Sequence, residues 1–462
     1  MESGSLLQRE LGDCVSLDPA DLQSHAGDWW PILAKWNASE RAAHMPAAVV
    51  RPRDRDTLAR AVAYAYAKGM TVVPYGAGSG VTGGVVSATG AVAIDTRGLD
   101  RMVDFNPADH LVTVEAGMMG GHLETWLNER GWTLGHYPQS LHISTVGGWI
   151  ATNSSGTFSG KYGGMEDLLA GAEVVLPNGE RITFKPVPRS ATGPRLMHLF
   201  LGSEGSLGIV TRATLRIFRQ PAVRQFAAYA PPSLEIGLDI VKRAYEAHLC
   251  PALMRLYDEK EAEHLYEGVG RAGGAPLLLV AHEGLPEMAA AEQQAFAALT
   301  AQGDATPVDA GVARFWEAGR YNAEWYRVGN DGADRIADSI EVAASWSELA
   351  PLYRDVMASL DKVCNKAMGH FSHFYSTGSS VYFIACLQDA DPARLRERYG
   401  QLWSTVMDRT LAHGGTISHH HGVGLARAHV LERELGSAHS VLRKVKQALD
   451  PKGTFNPGKL GL

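Results

Sequence analysis

The sequence predicts an α+β protein of two domains, and three observations carry that expectation. Residues 48–75 (AVVRPRDRDTLARAVAYAYAKGMTVVPY) read strand, helix, strand, and run straight into a glycine-rich loop. After Pro221 the composition changes, and β-rich runs alternate with long amphipathic helices. The chain has 462 residues with 45% hydrophobic and 20% charged content, enough to bury two or three cores.

Taken in order, residues 1–45 form a helical preface that contains DWW (28–30) and RAAH (41–44). The next domain spans 46–221. Its first helix carries Leu58, Val62 and Ala65 at helical spacing and stops at Lys68-Gly69. The loop that follows, PYGAGSGVTGG (74–84), places Gly78, Gly80 and Gly83 at the spacing G-x-G-x-x-G. In a dinucleotide-binding Rossmann turn the third glycine opens a helix that faces the pyrophosphate. Here Val85-Val86, another turn and a strand (AVAIDTR, 91–97) follow instead. The glycines therefore let consecutive backbone N–H groups wrap an anion as a nest, and the loop is a phosphate loop of a different fold.

LVTVEAG (111–117) reads as a strand and GGHLETWLNERGW (120–132) as a helix. Residues 138–164 (PQSLHISTVGGWIATNSSGTFSGKYGG) read as a long Gly/Ser/Thr loop, of a length that points to binding. Residues 166–184 form a hairpin that turns at Pro177-Asn178-Gly179. Residues 197–218 give a short helix, a glycine turn and β-rich runs. The second domain, 222–430, combines strands such as LLLVAHEG (277–284) and SVYFIACL (380–387) with helices such as 392–415. An antiparallel sheet with helices on one face is expected there. Residues 431–462, a helix and then FNPGKLGL, return to the first domain.

Net charge is −7 with no run of Lys or Arg, which excludes non-specific nucleic-acid binding. Cys14, Cys250, Cys364 and Cys386 are scattered and form no C-x-x-C, so a reducing, cytoplasmic setting is expected. The opening MESGSLLQRELGDC lacks the basic and apolar pattern of a signal peptide, and no window is apolar enough to span a bilayer.

Two features carry chemistry. His419, His420 and His421 are consecutive. Read as an extended strand, His419 and His421 share one side while His420 points to the other. Three such ligands do not close on one metal ion without severe distortion; a zinc site would need help from distant residues, and no metal ligand is assigned. Imidazole suits proton exchange near neutrality instead. Arg255 lies in an apolar run, PALMRLYD, where an arginine is costly to bury without an anion. It either orients a phosphate or carboxylate or forms an ion pair with Asp258 or Glu341. By local pattern alone Tyr382 is a strand aromatic facing a core, and Tyr375, close to His373, lies on a neighbouring stretch.

PYGAGSGVTGG, STVGGWIATNSSG (144–156) and LGSEGSLGIVT (201–211) resemble the three flavin-contacting segments of the vanillyl-alcohol-oxidase, or PCMH-type, FAD-binding fold. GGTISHHHGVG (414–424) and FNPGKLG (455–461) resemble the C-terminal part of FAD-linked oxidases. The resemblance runs from about Ala47 to the end, and implies a PCMH-type domain joined to an antiparallel-sheet cap. Within the superfamily, residues 191–211, MRLYD (254–258) and SHHHGVG are most similar to alkylglycerone-phosphate synthases. The sister D-2-hydroxy acid dehydrogenases typically carry EHG where this chain has His420-His421-Gly422, and usually lack an arginine at the position of Arg255.

The resemblance implies that the FAD pyrophosphate lies on Pro74, Gly76, Ala77, Gly78, Ser79, Gly80, Val81 and Thr82. Ser140, Ser144, Thr145, Gly147, Gly148, Thr152, Asn153 and Ser154 run beside the flavin, and Glu204, Gly208 and Ile209 hold the adenosine end. Relatives with covalent flavin often place a histidine in the first loop, where this chain offers Ser79, so the FAD is expected to be non-covalent. Tyr382, His419, His420 and His421 move protons, and Arg255 steadies an anionic intermediate or contacts the flavin. The reaction implied replaces the acyl group of acyl-dihydroxyacetone phosphate by a fatty alcohol through a flavin N5 adduct. The rival readings are an FAD-dependent D-2-hydroxy acid dehydrogenase or oxidase and a non-catalytic flavin-binding subunit. A lipid-phosphate or other small-molecule substrate, peripheral membrane contact and a homodimer complete the expected partners.

Overall fold

The computed structural model describes residues 2–271, 273–322 and 328–462. The described residues of the first domain hold a two-stranded ribbon, Trp132–Thr133 with Phe218–Arg219, and two main sheets. In the smaller, Ala48–Val50 and Val72–Tyr75 both pair in parallel with Val92–Asp95, and Val15–Ser16 pairs antiparallel at the edge. The helix Arg55–Ala67 connects the first two of these, and Asp54 caps it by accepting from the amide of Thr57 at 2.7 Å. It buries Leu58, Ala61, Val62 and Ala65 in the core beside that sheet. The larger sheet is antiparallel, in the order 102–106, 111–115, 209–216, 169–175, 181–184.

The long Gly/Ser/Thr segment is not a loop throughout. Val146–Thr152 is a helix, with the Thr145 hydroxyl accepting from the amide of Gly148 and Asn153 ending it in a left-handed conformation (φ 50°). Two glycines lower intrinsic helix propensity, so the sequence reads as irregular. Tertiary packing overrides this: a Cβ at Gly147 would stand 3.0 Å from Ala116, and Trp149 and Ile150 are buried in the domain core.

The second domain is one seven-stranded antiparallel sheet. We number its strands β1 (Val223–Ala230), β2 (Leu253–Tyr257), β3 (Leu277–Gly284), β4 (Thr306–Val308), β5 (Arg335–Ser345), β6 (Lys366–Tyr375) and β7 (Gly378–Gln388). Their spatial order is β4-β1-β3-β2-β6-β7-β5. Helices 234–246, 286–302, 346–363 and 392–412 pack on one face, against Met254, Leu256, Leu278 and Val280. The alternate residues Leu253, Tyr257, Leu277 and Leu279 enter a second core with helices 259–267 and 311–319. Helices on one face alone are therefore the wrong expectation. Every residue of β2 is buried, and a strand covered on both faces reads as a continuous apolar run rather than an alternation.

The last segment threads back beneath the glycine loop. Phe455 bridges to Val72, Asn456 donates to the carbonyls of Gly84 (3.0 Å) and Glu204 (2.6 Å), and Lys459 donates to that of Val86 (2.8 Å). Among the described residues no helix is long and apolar enough to cross a membrane.

Candidate active site

The glycine loop has the chemistry of an anion cradle. Among the described residues, no acceptor engages the amides of Ala77 to Thr82. Gly78 has φ +67°, and a Cβ there would meet the Tyr75 hydroxyl at 2.1 Å; a Cβ at Gly76 would meet the Thr145 hydroxyl at 2.6 Å. Backbone without side chains and a run of unused N–H groups suit a pyrophosphate. DWW, which the sequence leaves as preface, walls this loop. The Trp29 amide donates to the carbonyl of Gly80 (2.8 Å), and the Asp28 carboxylate accepts from the amide of Gly84 (2.9 Å). Burial raises the Asp28 carboxyl to about 7.

Several expected cofactor contacts have other duties. The Glu204 carboxylate, buried and at φ +51°, accepts from the amides of Val423 and Gly424. These N–H groups, with the charges of Lys459 and Arg427, offset the cost of its burial. Ser144 donates to the carbonyl of Ser140 (2.7 Å) and accepts from the Trp149 indole (2.8 Å); Thr152 donates to that of Gly148 (3.1 Å). Ser140 donates to Ser144, and Ser154 hydrogen-bonds His136 at 3.0 Å. These hydroxyls are engaged within the fold. Gly208 packs on Val174, and Ile209 enters the sheet opposite Val175. Pro74 is in strand 72–75, with its ring against Gly205. The carbonyl of Thr82 accepts from the amides of Leu425 and Ala426, tying the loop to the segment after the histidines.

The cap sheet assembles the rest by register. Tyr257 pairs with His370, His370 with Tyr382, and Tyr382 with Glu341, so one face of β2-β6-β7-β5 carries a row of polar groups. A bulge at His373 (φ +53°) turns that imidazole toward the same face, where Nε2 lies 3.3 Å from the Tyr382 hydroxyl. Tyr382 stands 2.9 Å from His420 Nε2 and stacks on His370 at 4.4 Å between ring centroids. Arg255 donates to His370 Nε2 (2.6 Å). Because a guanidinium only donates, the proton of His370 lies on Nδ1 and faces Glu261 at 2.8 Å. Among the described residues Arg255 pairs with neither Asp258 nor Glu341, and its buried Nε has no hydrogen-bond partner. Asp258 instead accepts from Tyr353 (2.6 Å) and the amide of Gly369 (2.6 Å).

The three histidines do not alternate along a strand. Their segment curls around the Glu341 carboxylate, which accepts from the amides of His419 (2.6 Å) and His421 (2.9 Å) and pairs with Arg427 at 3.3 Å. Gly422 (φ +82°) and Gly424 (φ +53°) permit the curl, and it brings all three rings to one region. Glu341, His419 and His420 have ligand atoms within 4.8 Å of one another. Both Glu341 oxygens accept from backbone N–H groups of this turn, which fixes the curl.

Burial keeps the imidazoles neutral. His370, His373 and His420 are driven well below their ordinary value, each chiefly by desolvation. His421 falls to about 4 through burial, with Arg427 adding and Glu341 opposing. Burial also raises the Glu261 carboxyl to about 7 and lifts Tyr382 far above an ordinary phenol. Burial would raise Glu341 too, but Arg427 and the histidines hold it below the usual carboxylate range. For His421 the unfolded chain binds the proton first, at about 6.5. Its contribution to stability is therefore complete above that pH and is lost as pH falls toward 4. The expected result in an imidazole NMR titration is a His421 signal that stays neutral from pH 8 to 5; a midpoint near 6.5 contradicts it.

Family models for the FAD binding domain match residues 46–185, and for the C-terminal domain of FAD linked oxidases residues 220–460. The chain belongs to the FAD-linked oxidases. FAD is its cofactor, and the Gly76–Thr82 cradle fits it. The uncharacterized FAD-linked oxidoreductase YgcU of Escherichia coli K12 is 29% identical, over 90% of this chain and 89% of its own. Alkyldihydroxyacetonephosphate synthase of Trypanosoma brucei brucei is 28% identical, over 90% and 73% respectively. Glycolate oxidase subunit GlcD of Bacillus subtilis is 26% identical, over 93% and 92%. In fold, a solved alkyldihydroxyacetonephosphate synthase superposes with a TM-score of 0.81 at 23% identity, over 98% of this chain and 86% of that one. Substrate-bound p-cresol methylhydroxylase superposes at 0.80 and 17%, over 100% and 96%, which is the PCMH-type architecture.

Proposed function

We propose that this FAD-linked oxidase exchanges the acyl group of an acyl-dihydroxyacetone phosphate for a fatty alcohol, as an alkylglycerone-phosphate synthase does. The observation that carries the reading is the buried Tyr382–His420 hydrogen bond (2.9 Å) beside an arginine whose Nε has no partner among the described residues. The exchange is redox-neutral: the alcohol oxygen replaces the carboxylate oxygen on carbon, and the fatty acid leaves. It needs one proton removed from the alcohol and one anion steadied. Tyr382 accepts the alcohol proton as it passes its own to the lone pair of His420 Nε2. Neutrality of His420 keeps that lone pair available. Arg255, fixed by His370 and Glu261, presents its remaining N–H groups to the phosphate or to the developing oxyanion. FAD, when bound, supplies a ring that takes and returns electrons at the reacting carbon.

A second reading is oxidation of a D-2-hydroxy acid. It is favoured by the glycolate oxidase relative and by Arg255, which suits a carboxylate as well as a phosphate. An anaerobic visible titration of the purified flavoprotein separates the two. Bleaching by hexadecanoyl-dihydroxyacetone phosphate, reversed by hexadecanol, supports the exchange. Full bleaching by D-lactate or a similar D-2-hydroxy acid, restored by an electron acceptor, overturns it.

A further inference from the structure

We propose that Tyr375 and His419 form the outer half of a proton relay that connects Tyr382 with the protein surface. The inference rests on the reading of Tyr382 as proton acceptor and extends it past the residues that touch substrate. The Tyr382 hydroxyl lies 2.9 Å from His420 Nε2, His420 Nδ1 lies 2.8 Å from His419 Nδ1, and His419 Nε2 lies 2.8 Å from the Tyr375 hydroxyl. Each step is an ordinary hydrogen-bond length. Beyond Tyr375 the path opens. Tyr375 is half-buried at the end of β6, and the charges of the exposed Glu166 and Asp167 act on it.

The Nδ1···Nδ1 contact gives the chain its logic. Two neutral imidazoles joined this way share one proton, so the tautomer of one dictates the tautomer of the other. In the first arrangement Tyr382 donates to His420 Nε2, His420 donates from Nδ1, and His419 donates from Nε2 to Tyr375. In the second every bond is reversed. Passing from the first to the second carries one proton outward. The substrate hydroxyl gives its proton to Tyr382, Tyr382 to His420, His420 to His419, His419 to Tyr375, and the half-buried Tyr375 to solvent. Each broken O–H or N–H bond is matched by one formed, no electrons move, and no imidazolium remains in a site that disfavours one. A lone Tyr382–His420 pair would strand a proton on a buried histidine after every turnover.

The test needs no substrate for its first part. Holoenzyme carrying ¹⁵N-labelled histidine reports each tautomer by long-range ¹H–¹⁵N correlation. Because Tyr375 both donates and accepts, the native His420 signals are expected to average the two tautomers. In Tyr375→Phe, His419 Nε2 faces an apolar ring, and an unpaired lone pair there costs less than an unpaired N–H. His419 then holds its proton on Nδ1, and His420 is expected to lock with its proton on Nε2, although no contact of His420 itself has changed. An unchanged His420 tautomer overturns the relay.

The second part is turnover of hexadecanoyl-dihydroxyacetone phosphate with hexadecanol, or of D-lactate if that is the substrate consumed. Tyr375→Phe and His419→Asn are expected to lower kcat about 10–100-fold with KM unchanged. Native kcat in Tyr375→Phe beside an inactive Tyr382→Phe refutes the relay alone. Native kcat in Tyr382→Phe refutes the underlying reading of Tyr382 instead.

Discussion

Tyr382→Phe is expected to lower turnover by about 10²–10⁴-fold while leaving the flavin spectrum and the cofactor content at native values. The substitution removes one oxygen and conserves the ring. The stacking on His370 at 4.4 Å and the place of the strand between β6 and β5 both survive. What is lost is the only hydroxyl within hydrogen-bond distance of both His420 Nε2 (2.9 Å) and His373 Nε2 (3.3 Å) among the described residues. Burial holds the Tyr382 phenol far above its ordinary value, so it does not act as a standing phenolate. It works by taking and giving a proton in one event, and a phenylalanine does neither. Steady-state kinetics beside the flavin absorbance check this; retention of more than a tenth of native kcat contradicts it.

Glu341→Ala is expected to cost about 3–5 kcal/mol of stability and to abolish activity with it. Glu341 and Arg427 are both fully buried and stand 3.3 Å apart. Removing the carboxylate strands a guanidinium without its counter-charge and frees the amides of His419 and His421 at once. The histidine rings then lose the curl that aims His420 at Tyr382. Glu341→Gln keeps the volume and one acceptor oxygen, and is expected to fall between the alanine variant and the native protein. Thermal unfolding followed by flavin release measures both. A native melting temperature for Glu341→Ala contradicts the account.

These two residues differ in how far the sequence announces them. The histidine run, the glycine loop and the strand–helix–strand unit before it stand out because each is local: a run, a turn, a period. Tyr382 is marked by the family resemblance, since its local pattern is that of a core strand aromatic. Glu341 is a single acid in a β-rich run, 78 residues from the His419 amide it binds. Its duty follows from the pairing of β5 with β7, which no local pattern prints. Glu261 and His370 escape notice for the same reason, since 109 residues separate them and helix 259–267 must dock on β6 before they meet. Non-local packing also gives duties that the sequence does not print. Glu204, in a flavin-contacting segment, clamps the turn after the histidines, and Arg427 is held by Glu341 and the carbonyl of Gly422. Asp28 is the sharpest omission: an acid in the preface that closes on the phosphate loop 56 residues later.

The central claim is that Tyr382, His420 and Arg255 serve an acyl-for-alkyl exchange. Mass spectrometry of the lipid products tests it most directly, with the holoenzyme given hexadecanoyl-dihydroxyacetone phosphate and deuterated hexadecanol. The account predicts deuterated hexadecyl-dihydroxyacetone phosphate and one free hexadecanoic acid per ether formed, without any added oxidant. Release of hexadecanoic acid and dihydroxyacetone phosphate with no deuterated ether, or no reaction at all while a D-2-hydroxy acid reduces the flavin, would contradict it.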